Sequence, residues 1–466
     1  RQIKESVKPE GQKNMNITTN FEEFARQLDI DPIEAAVMDV ARALQITQTM
    51  HQQAESHYRG LASHVDRPGS PFEDLVDEIY SSGSFAIHAA TRSRLKRDQH
   101  DVDAVLELNC PAGSDPEWVI SELYKAIRGK KGSKYFDYLI EKNSRCVTVT
   151  YPDGVTVDLM PVVRLAGQPE RVAVLFHYKR ETGAKYHKEV NPKGFAEYFN
   201  GQIETSKAFQ DRFDARRYLV DGETYVELAN RIASNSTTIT LEKADTQPMP
   251  VHVPLDQKSA RVVALQLIKR FRDKRYRKHD DHSGKRKPPS IIIAAIALDA
   301  GPVNDNLVDE VIAIAHHMRR LIRNAEGNLH LLEVRNPAHY PDIFTDRWPE
   351  TRSDQRLWSS DLKTLVEQLE TLKRAGFDPA VVQATLADLF GEKAGDIALR
   401  AYHQAQTTNL EHGALGMTPS GKLTPAKPAS GLTTPVLGAG IASTGLIVPA
   451  RANTNMGGTI PDDNCW

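Results

Sequence analysis

The sequence predicts an α/β fold of the α+β kind, with a mixed sheet in the first half and a helical lobe in the second. Three observations lead there. Between about residues 70 and 165 apolar residues alternate with polar ones, beyond about residue 200 they recur at helical spacing, and 466 residues suffice for two or three cooperating units. Lys+Arg 59 against Asp+Glu 61 gives a net charge of -2, which excludes a globally basic nucleic-acid binder. No uncharged apolar run approaches about 18 residues, and the first residues carry no apolar signal core, so a cytoplasmic location is expected.

Residues 1–30 read as a solvated, flexible arm. Asp31 followed by Pro32 is a helix-start signal, and Ile33, Val37, Val40, Ala41, Leu44, Ile46 and Met50 continue it as one long helix toward Tyr58 or Leu61. Arg67-Pro68-Gly69-Ser70-Pro71 breaks it, and Phe72 to Ile79 forms a short helix or strand leading into Ser81-Ser82-Gly83-Ser84. From Asp101 to Leu108 every even position is apolar, while Asp101, Asp103 and Glu107 fall on odd ones, as in a half-buried strand. Arg145 to Tyr151, Pro152-Asp153-Gly154 and Val155 to Met160 form a β-hairpin that places Asp158 on its second strand.

These elements, with the long helix, make a core over residues 31–200. A helical lobe over 201–406 follows from the apolar spacing in Arg261 to Arg272, Leu307 to Leu321 and Leu357 to Leu372. Residues 407–466 hold nine Gly, six Pro and a single aromatic, Trp466, and read as a flexible tail. From Lys258 to Lys287 twelve Lys/Arg face three Asp, which predicts one strongly positive surface. Its second half, Arg275 to Lys287, reads as a mobile polar loop, His279 and His282 included. Cys110, Cys146 and Cys465 lie far apart without metal-ligand spacing, so neither a disulfide nor structural zinc is expected. Phe195, Tyr198 and Phe199 read as core, and His316 and His317 as structural.

The chemistry concentrates in three carboxylates. Asp101 and Asp103 stand on one side of a strand, where their repulsion is costly unless a cation lies between them. Magnesium suits hard oxygen donors and leaves coordination positions open for phosphates. Asp158, on another strand, allows two Mg2+ ions, with Mn2+ as an alternative, in a phosphoryl or nucleotidyl transfer site. Gly83 lets the backbone approach a phosphate, and Ser84 offers a hydroxyl and an N–H at the start of a helix.

The run Gly83-Ser84-Phe85, Asp101-Val102-Asp103 and Val157-Asp158-Leu159-Met160-Pro161 resembles the signature of the DNA polymerase β-type nucleotidyltransferases. More narrowly it resembles the bacterial cGAS/DncV-like nucleotidyltransferases, the CD-NTases. The sixteen residues between Ser84 and Asp101 suit that branch. Asn191-Pro192-Lys193-Gly194, Gln266 to Arg272, Pro288-Pro289-Ser290, Asn336-Pro337 and Asp346-Arg347-Trp348 extend the likeness over about residues 70 to 400.

The resemblance implies a two-lobed polymerase β-like fold. It makes Asp101, Asp103 and Asp158 the metal-binding catalytic residues, and Gly83, Ser84, Lys269 and Ser290 the nucleotide-binding ones. It implies an adenine-containing cyclic di- or trinucleotide second messenger, made from ATP, with GTP as a further substrate, in antiphage defence of the CBASS type. Ile291 departs from the aromatic that several relatives carry after the serine, so base stacking must come from elsewhere, and the animal-type zinc module is absent. A HORMA-type regulator could capture the tail through Leu446-Ile447-Val448-Pro449, and a nucleic-acid activator could meet the basic run. Two other readings stay open: a linear nucleotide-adding enzyme that modifies RNA or protein, and a catalytically inactive nucleic-acid-binding scaffold.

Overall fold

The computed structural model describes residues 30–92, 100–169, 171–221, 246–411, 415–417 and 423–425. The expected arm, all but its last residue, and nearly all of the tail, with Leu446 to Pro449 and Cys465, lie outside these residues. Helix α1 (Pro32–Ala43) starts where the sequence predicts: the Asp31 carboxylate accepts from the N–H groups of Ile33 and Glu34, and Pro32 opens the first turn. It does not run on to Tyr58. Leu44 ends it, and α2 (Gln48–Val65) begins anew with Thr47 as its cap. The backbone between them is diverted into a bridge from Gln45 to Thr91, and Arg92 donates from its backbone N–H to the Leu44 carbonyl at 3.0 Å. Partners distant in sequence thus outcompete a continuous helical pattern.

Next come β1 (Val76–Ser82), the one-turn α3 (Gly83–Ala86), β2 (Asp101–Leu108), α4 (Pro116–Arg128), β3 (Leu139–Lys142), β4 (Val147–Thr150), β5 (Thr156–Arg164), β6 (Ala173–Lys179) and β7 (Ala184–Val190). The sheet runs β1-β2-β5-β4-β3, and β6 and β7 continue from the far end of β5. β2 and β5 are parallel and the other pairs antiparallel, which gives the mixed sheet expected. The alternation read from the sequence has a physical basis. Val102, Ala104, Leu106 and Leu108 of β2, with Val157 and Leu159 of β5, pack against α2 and α4, while Val105, Val162 and Leu175 form a smaller cluster on the other face.

The helical lobe holds α5 (Pro192–Gln202), α6 (Lys207–Asp221), α7 (Ala260–Lys278), α8 (Ser290–Leu298), α9 (Leu307–Gly327), the hairpin β8 (Arg335–Asn336) and β9 (His339–Ile343), then α10 (Arg352–Ala375), α11 (Pro379–Phe390) and α12 (Glu392–Glu411). Two short strands, β10 (Leu415–Met417) and β11 (Leu423–Pro425), pair with each other beyond it. Helix α12 continues past residue 406, so the start of the expected tail is helical. The lobe's core gathers side chains from α7 to α11 and also from α1 and α5. The residues expected to form one long helix are therefore shared: α1 packs with the helices, α2 with the sheet. Phe195 and Phe199 are core, as expected, whereas Tyr198 is 40% exposed.

The basic run does not form one exposed positive surface. Lys258, Arg261, Lys269, Arg272 and Lys274 are all buried, each with a partner: Arg261 with Glu310, Lys274 with Asp388 and Arg272 with Asp273, for example. Nor is its second half a loose loop. Helix α7 reaches Lys278, and His282, 2% exposed, bonds Asp361 at 2.7 Å, with Arg275 on the other carboxylate oxygen at 2.9 Å. No described helix is long and apolar enough to cross a membrane.

Candidate active site

Two in-register parallel strands set the centre of the site. Asp103 on β2 lies opposite Asp158 on β5, and Asp101 lies opposite Thr156. Because side chains alternate, all three carboxylates rise on the sheet face turned away from α2 and α4. Neighbouring threonines orient two of them: the Thr156 hydroxyl donates to Asp101 at 2.6 Å, and the Thr148 hydroxyl donates to Asp158. Burial, then the charges of Asp158 and Asp101, push the Asp103 carboxyl up to about 7, against the backbone N–H of Ser84 that favours its ionised form. Burial likewise raises Asp158.

The glycine bend abuts this cluster. β1 is antiparallel to β2, with Ser82 opposite Asp103, and Gly83 follows at φ +58°. A Cβ there would lie 1.9 Å from an Asp103 carboxylate oxygen, so the close approach requires glycine. The helix that Ser84 was expected to open is a single turn, too short for a sizeable macrodipole, and the Ser84 N–H is spent on Asp103. Ser84 therefore contributes its hydroxyl and the fixed backbone of the bend.

Across the cleft, α7 supplies the facing wall. Lys269 is buried and donates to the Ala89 carbonyl at 3.0 Å, just past the bend, while Gln266 holds the Ala90 carbonyl at 2.9 Å. Burial, then Arg272, lower the Lys269 ammonium to about 8, against the pull of Asp273, Asp103 and Asp101. Arg272 donates to the Ser290 hydroxyl at 2.9 Å and the Pro288 carbonyl at 2.7 Å, which fixes Ser290 at the start of α8. All seven residues singled out from the sequence, Gly83, Ser84, Asp101, Asp103, Asp158, Lys269 and Ser290, line one cavity of about 780 Å³ between the lobes. That volume suits a nucleotide.

Sequence reading missed several of its walls. Thr148 was legible in principle, because the hairpin register places it opposite Asp158. Arg145 was not, and Asp346 and Arg347 entered only as part of the family likeness, since only the fold brings the β9–α10 loop against β4: the Arg145 guanidinium grips Asp346, and Lys188 bonds the Ile343 carbonyl at 2.6 Å. Asn191 and Asn336, from the two Asn-Pro motifs, meet at Asp342 on the same side. Ile291 lines the cavity, as do Phe195 and Phe344, which pack edge-on at 5.0 Å.

Among the described residues no three acidic, His or Cys side chains close into a metal cage by themselves. Mg2+ does not require one: it takes one or two carboxylates and completes its shell with waters and substrate phosphates. Three crowded carboxylates, two of them with raised affinity for a proton, make a donor set that fits such an ion.

Residues 32–174 match the family described as the Second Messenger Oligonucleotide or Dinucleotide Synthetase domain. Over 430 residues the chain is 30% identical to the cyclic dinucleotide synthase CdnG of Bradyrhizobium diazoefficiens, covering 92% of this chain and 95% of that one. The chain belongs to the CD-NTases. As a member of that family it is a nucleotidyltransferase. The solved structure of the Bradyrhizobium diazoefficiens CD-NTase CdnG in complex with GTP matches with a TM-score of 0.63 at 29% identity, over 80% of this chain and 99% of that one. A c-di-GMP synthase of Roseivirga ehrenbergii is 20% identical over 398 residues, 84% of this chain and 92% of the relative. The CD-NTase fold thus accounts for a carboxylate-bearing sheet closed by a helical lobe.

Proposed function

We propose that this CD-NTase condenses nucleoside triphosphates into a cyclic dinucleotide second messenger, with Asp101, Asp103 and Asp158 as its metal ligands. The observation that carries the reading is the in-register pair Asp103 and Asp158 beside the Gly83 bend, at the floor of a cavity walled by Lys269 and Ser290. Bound between these carboxylates, two Mg2+ ions, or Mn2+, would supply Lewis-acid stabilisation of the oxygens around the reacting phosphorus.

The chain's own residues do the rest. The Gly83 bend and the Ser84 hydroxyl seat the donor triphosphate, and Lys269 faces it with positive charge that phosphate oxygens would hold in the ammonium form. Ser290, oriented by Arg272, adds a hydroxyl donor from the opposite wall. A ribose hydroxyl oxygen of the second nucleotide bonds to the α-phosphorus, the bond to the β-phosphate bridge breaks, pyrophosphate leaves, and the carboxylate nearest the hydroxyl takes its proton. A second transfer within the linear intermediate closes the ring.

Guanine is one proposed base, supported by the GTP complex of one relative and the product named for another. Adenine, implied by the sequence resemblance, is proposed as the other. Antiphage signalling of the CBASS type is the proposed setting, with a HORMA-type protein as a candidate regulator. The test is incubation of the purified protein with labelled ATP, GTP, CTP and UTP and Mg2+, with products read by phosphatase resistance and mass spectrometry. A phosphatase-resistant cyclic dinucleotide is expected. Label on RNA or protein, or no turnover, would refute the reading.

A further inference from the structure

Behind the catalytic bend lies a second, small cavity of about 20 Å³ that the proposed reaction does not use. Phe85, which follows Ser84, forms part of its wall, together with four basic side chains: His51 from α2, His88 just past the bend, and His252 and Lys258 from the segment that leads into α7. Among the described residues no carboxylate lines it. The acidic groups that act on these side chains are Glu55, one turn along α2 from His51, and Asp256, near His252; α7 contributes a further cation, Lys269.

Lys258 is 6% exposed, and its Nζ donates to Gln45 Oε1, a neutral oxygen, at 2.7 Å. Gln45 spends its Nε2 hydrogens on the Ala41 carbonyl and Gln266 Oε1, at 2.8 Å each, so only its oxygen can meet the ammonium. Gln266 in turn holds the Ala90 carbonyl, so a relay runs from Lys258 to the backbone behind the bend. His51 and His252 each set Nε2 against a carbonyl, Pro250 at 2.9 Å and Ile46 at 3.0 Å; that nitrogen carries the hydrogen, and a second proton would reside on Nδ1. Burial, then the charge of Lys269, lower Lys258 to about 7, and burial lowers all three histidines. A buried cation with a neutral partner sheds its proton or takes up an anion.

We propose that this cavity binds one halide ion, chloride, which neutralises the Lys258 ammonium and fixes the Gln45–Gln266 relay behind the bend. The site is separate from the nucleotide cleft and stands whichever nucleotides react there. Its volume sets the size of the ion: a water needs about 10–15 Å³, so about 20 Å³ admits a monatomic anion and excludes sulfate, phosphate and nucleotides. Val251, 82% exposed, stands at the rim and gives the ion a way in from solvent. Bound chloride holds protons on Lys258 and the histidines, so its affinity falls as pH rises through about 7.

The test titrates the full chain with chloride against gluconate, an anion too large for the cavity, at constant ionic strength. The chloride NMR line should broaden with the wild type, bromide should reverse the broadening, and sulfate should not. With chloride at ten times the dissociation constant so measured, the folding constant from urea denaturation should exceed its value in gluconate about tenfold at about pH 6.5, and by less at about pH 8.5. Lys258→Met should abolish both effects. His88→Asn should weaken binding about tenfold, the weight of one charge-assisted hydrogen bond, and asparagine tolerates the φ of +55° at that position. Broadening that sulfate reverses as well as bromide does, or that survives in both variants, overturns the site, as does equal stability in chloride and gluconate at about pH 6.5. Should Lys258→Met not fold, His88→Asn and the wild-type pH dependence decide: binding that neither the substitution nor the rise in pH weakens overturns the site, and binding that both weaken supports it.

Discussion

Replacing Gly83 with alanine tests whether the backbone bend and the carboxylate cluster act as one unit. The new Cβ would lie 1.9 Å from the Asp103 carboxylate, inside the 3.0 Å that such contacts respect, so the carboxylate must retreat by about 1 Å. Displacement on that scale costs about a hundredfold in rate where reacting groups are held in register. The positive φ adds about 1–2 kcal/mol of backbone strain for any L side chain. Gly69 is the matched control: its φ is +75° and a Cβ there meets nothing within 4 Å. Gly69→Ala should carry the same strain with turnover unchanged, whereas Gly83→Ala should lose similar stability and at least about a hundredfold in initial rate of product formation. Urea midpoints and pyrophosphate release from the two variants, side by side, provide the measurement. Activity of Gly83→Ala within a few-fold of wild type, or an equal loss in both variants, would refute the link between the bend and Asp103.

Asp103→Asn should abolish turnover yet stabilise the metal-free protein. The native carboxyl titrates near 7 against an ordinary 3.8, so the folded state keeps a proton that the unfolded chain releases. Stability therefore falls as pH rises from about 4 to about 7, by at most about 4 kcal/mol, and the full cost persists above that. In EDTA the variant should exceed wild type in denaturation midpoint above pH 7, and the gap should close toward pH 4; a pH-independent difference would count against the crowded carboxylates. Lys269→Ala should raise the KM for the donor triphosphate about tenfold or more without changing product identity on mass spectra. Asp361→Ala should cost about 3 kcal/mol in urea denaturation, because it strands buried His282 and the Arg275 guanidinium, with nucleotide KM values unmoved.

Several elements were legible because their cause is local. Asp31 with Pro32 caps α1 through its own side chain, and the odd-even pattern of Asp101 to Leu108 follows from the two-residue repeat of a strand, which by itself puts Asp101 and Asp103 on one side. The hairpin turn at Pro152-Asp153-Gly154 fixed the antiparallel register of β4 and β5, and with it the position of Asp158. Where the reading failed, a distant partner decided. The helix expected through Leu44 is cut by Thr91 and Arg92, and the run expected as a positive surface folds inward because Glu310, Asp361 and Asp388, far from it along the chain, offer it counter-charges.

The residue order therefore determined which side chains are the candidates for the chemistry and which strand faces present them, since both depend on spacing of a few residues. Only the tertiary structure decided that Asp103 stands beside Asp158, that α7 presses Lys269 against the bend, and that Arg286 and Arg347 line the same cavity. A parallel pairing such as β2 with β5 is set by packing across an intervening helix and hairpin, and the electrostatics of a cleft depend on which charges burial brings together, so neither is written in local periodicity.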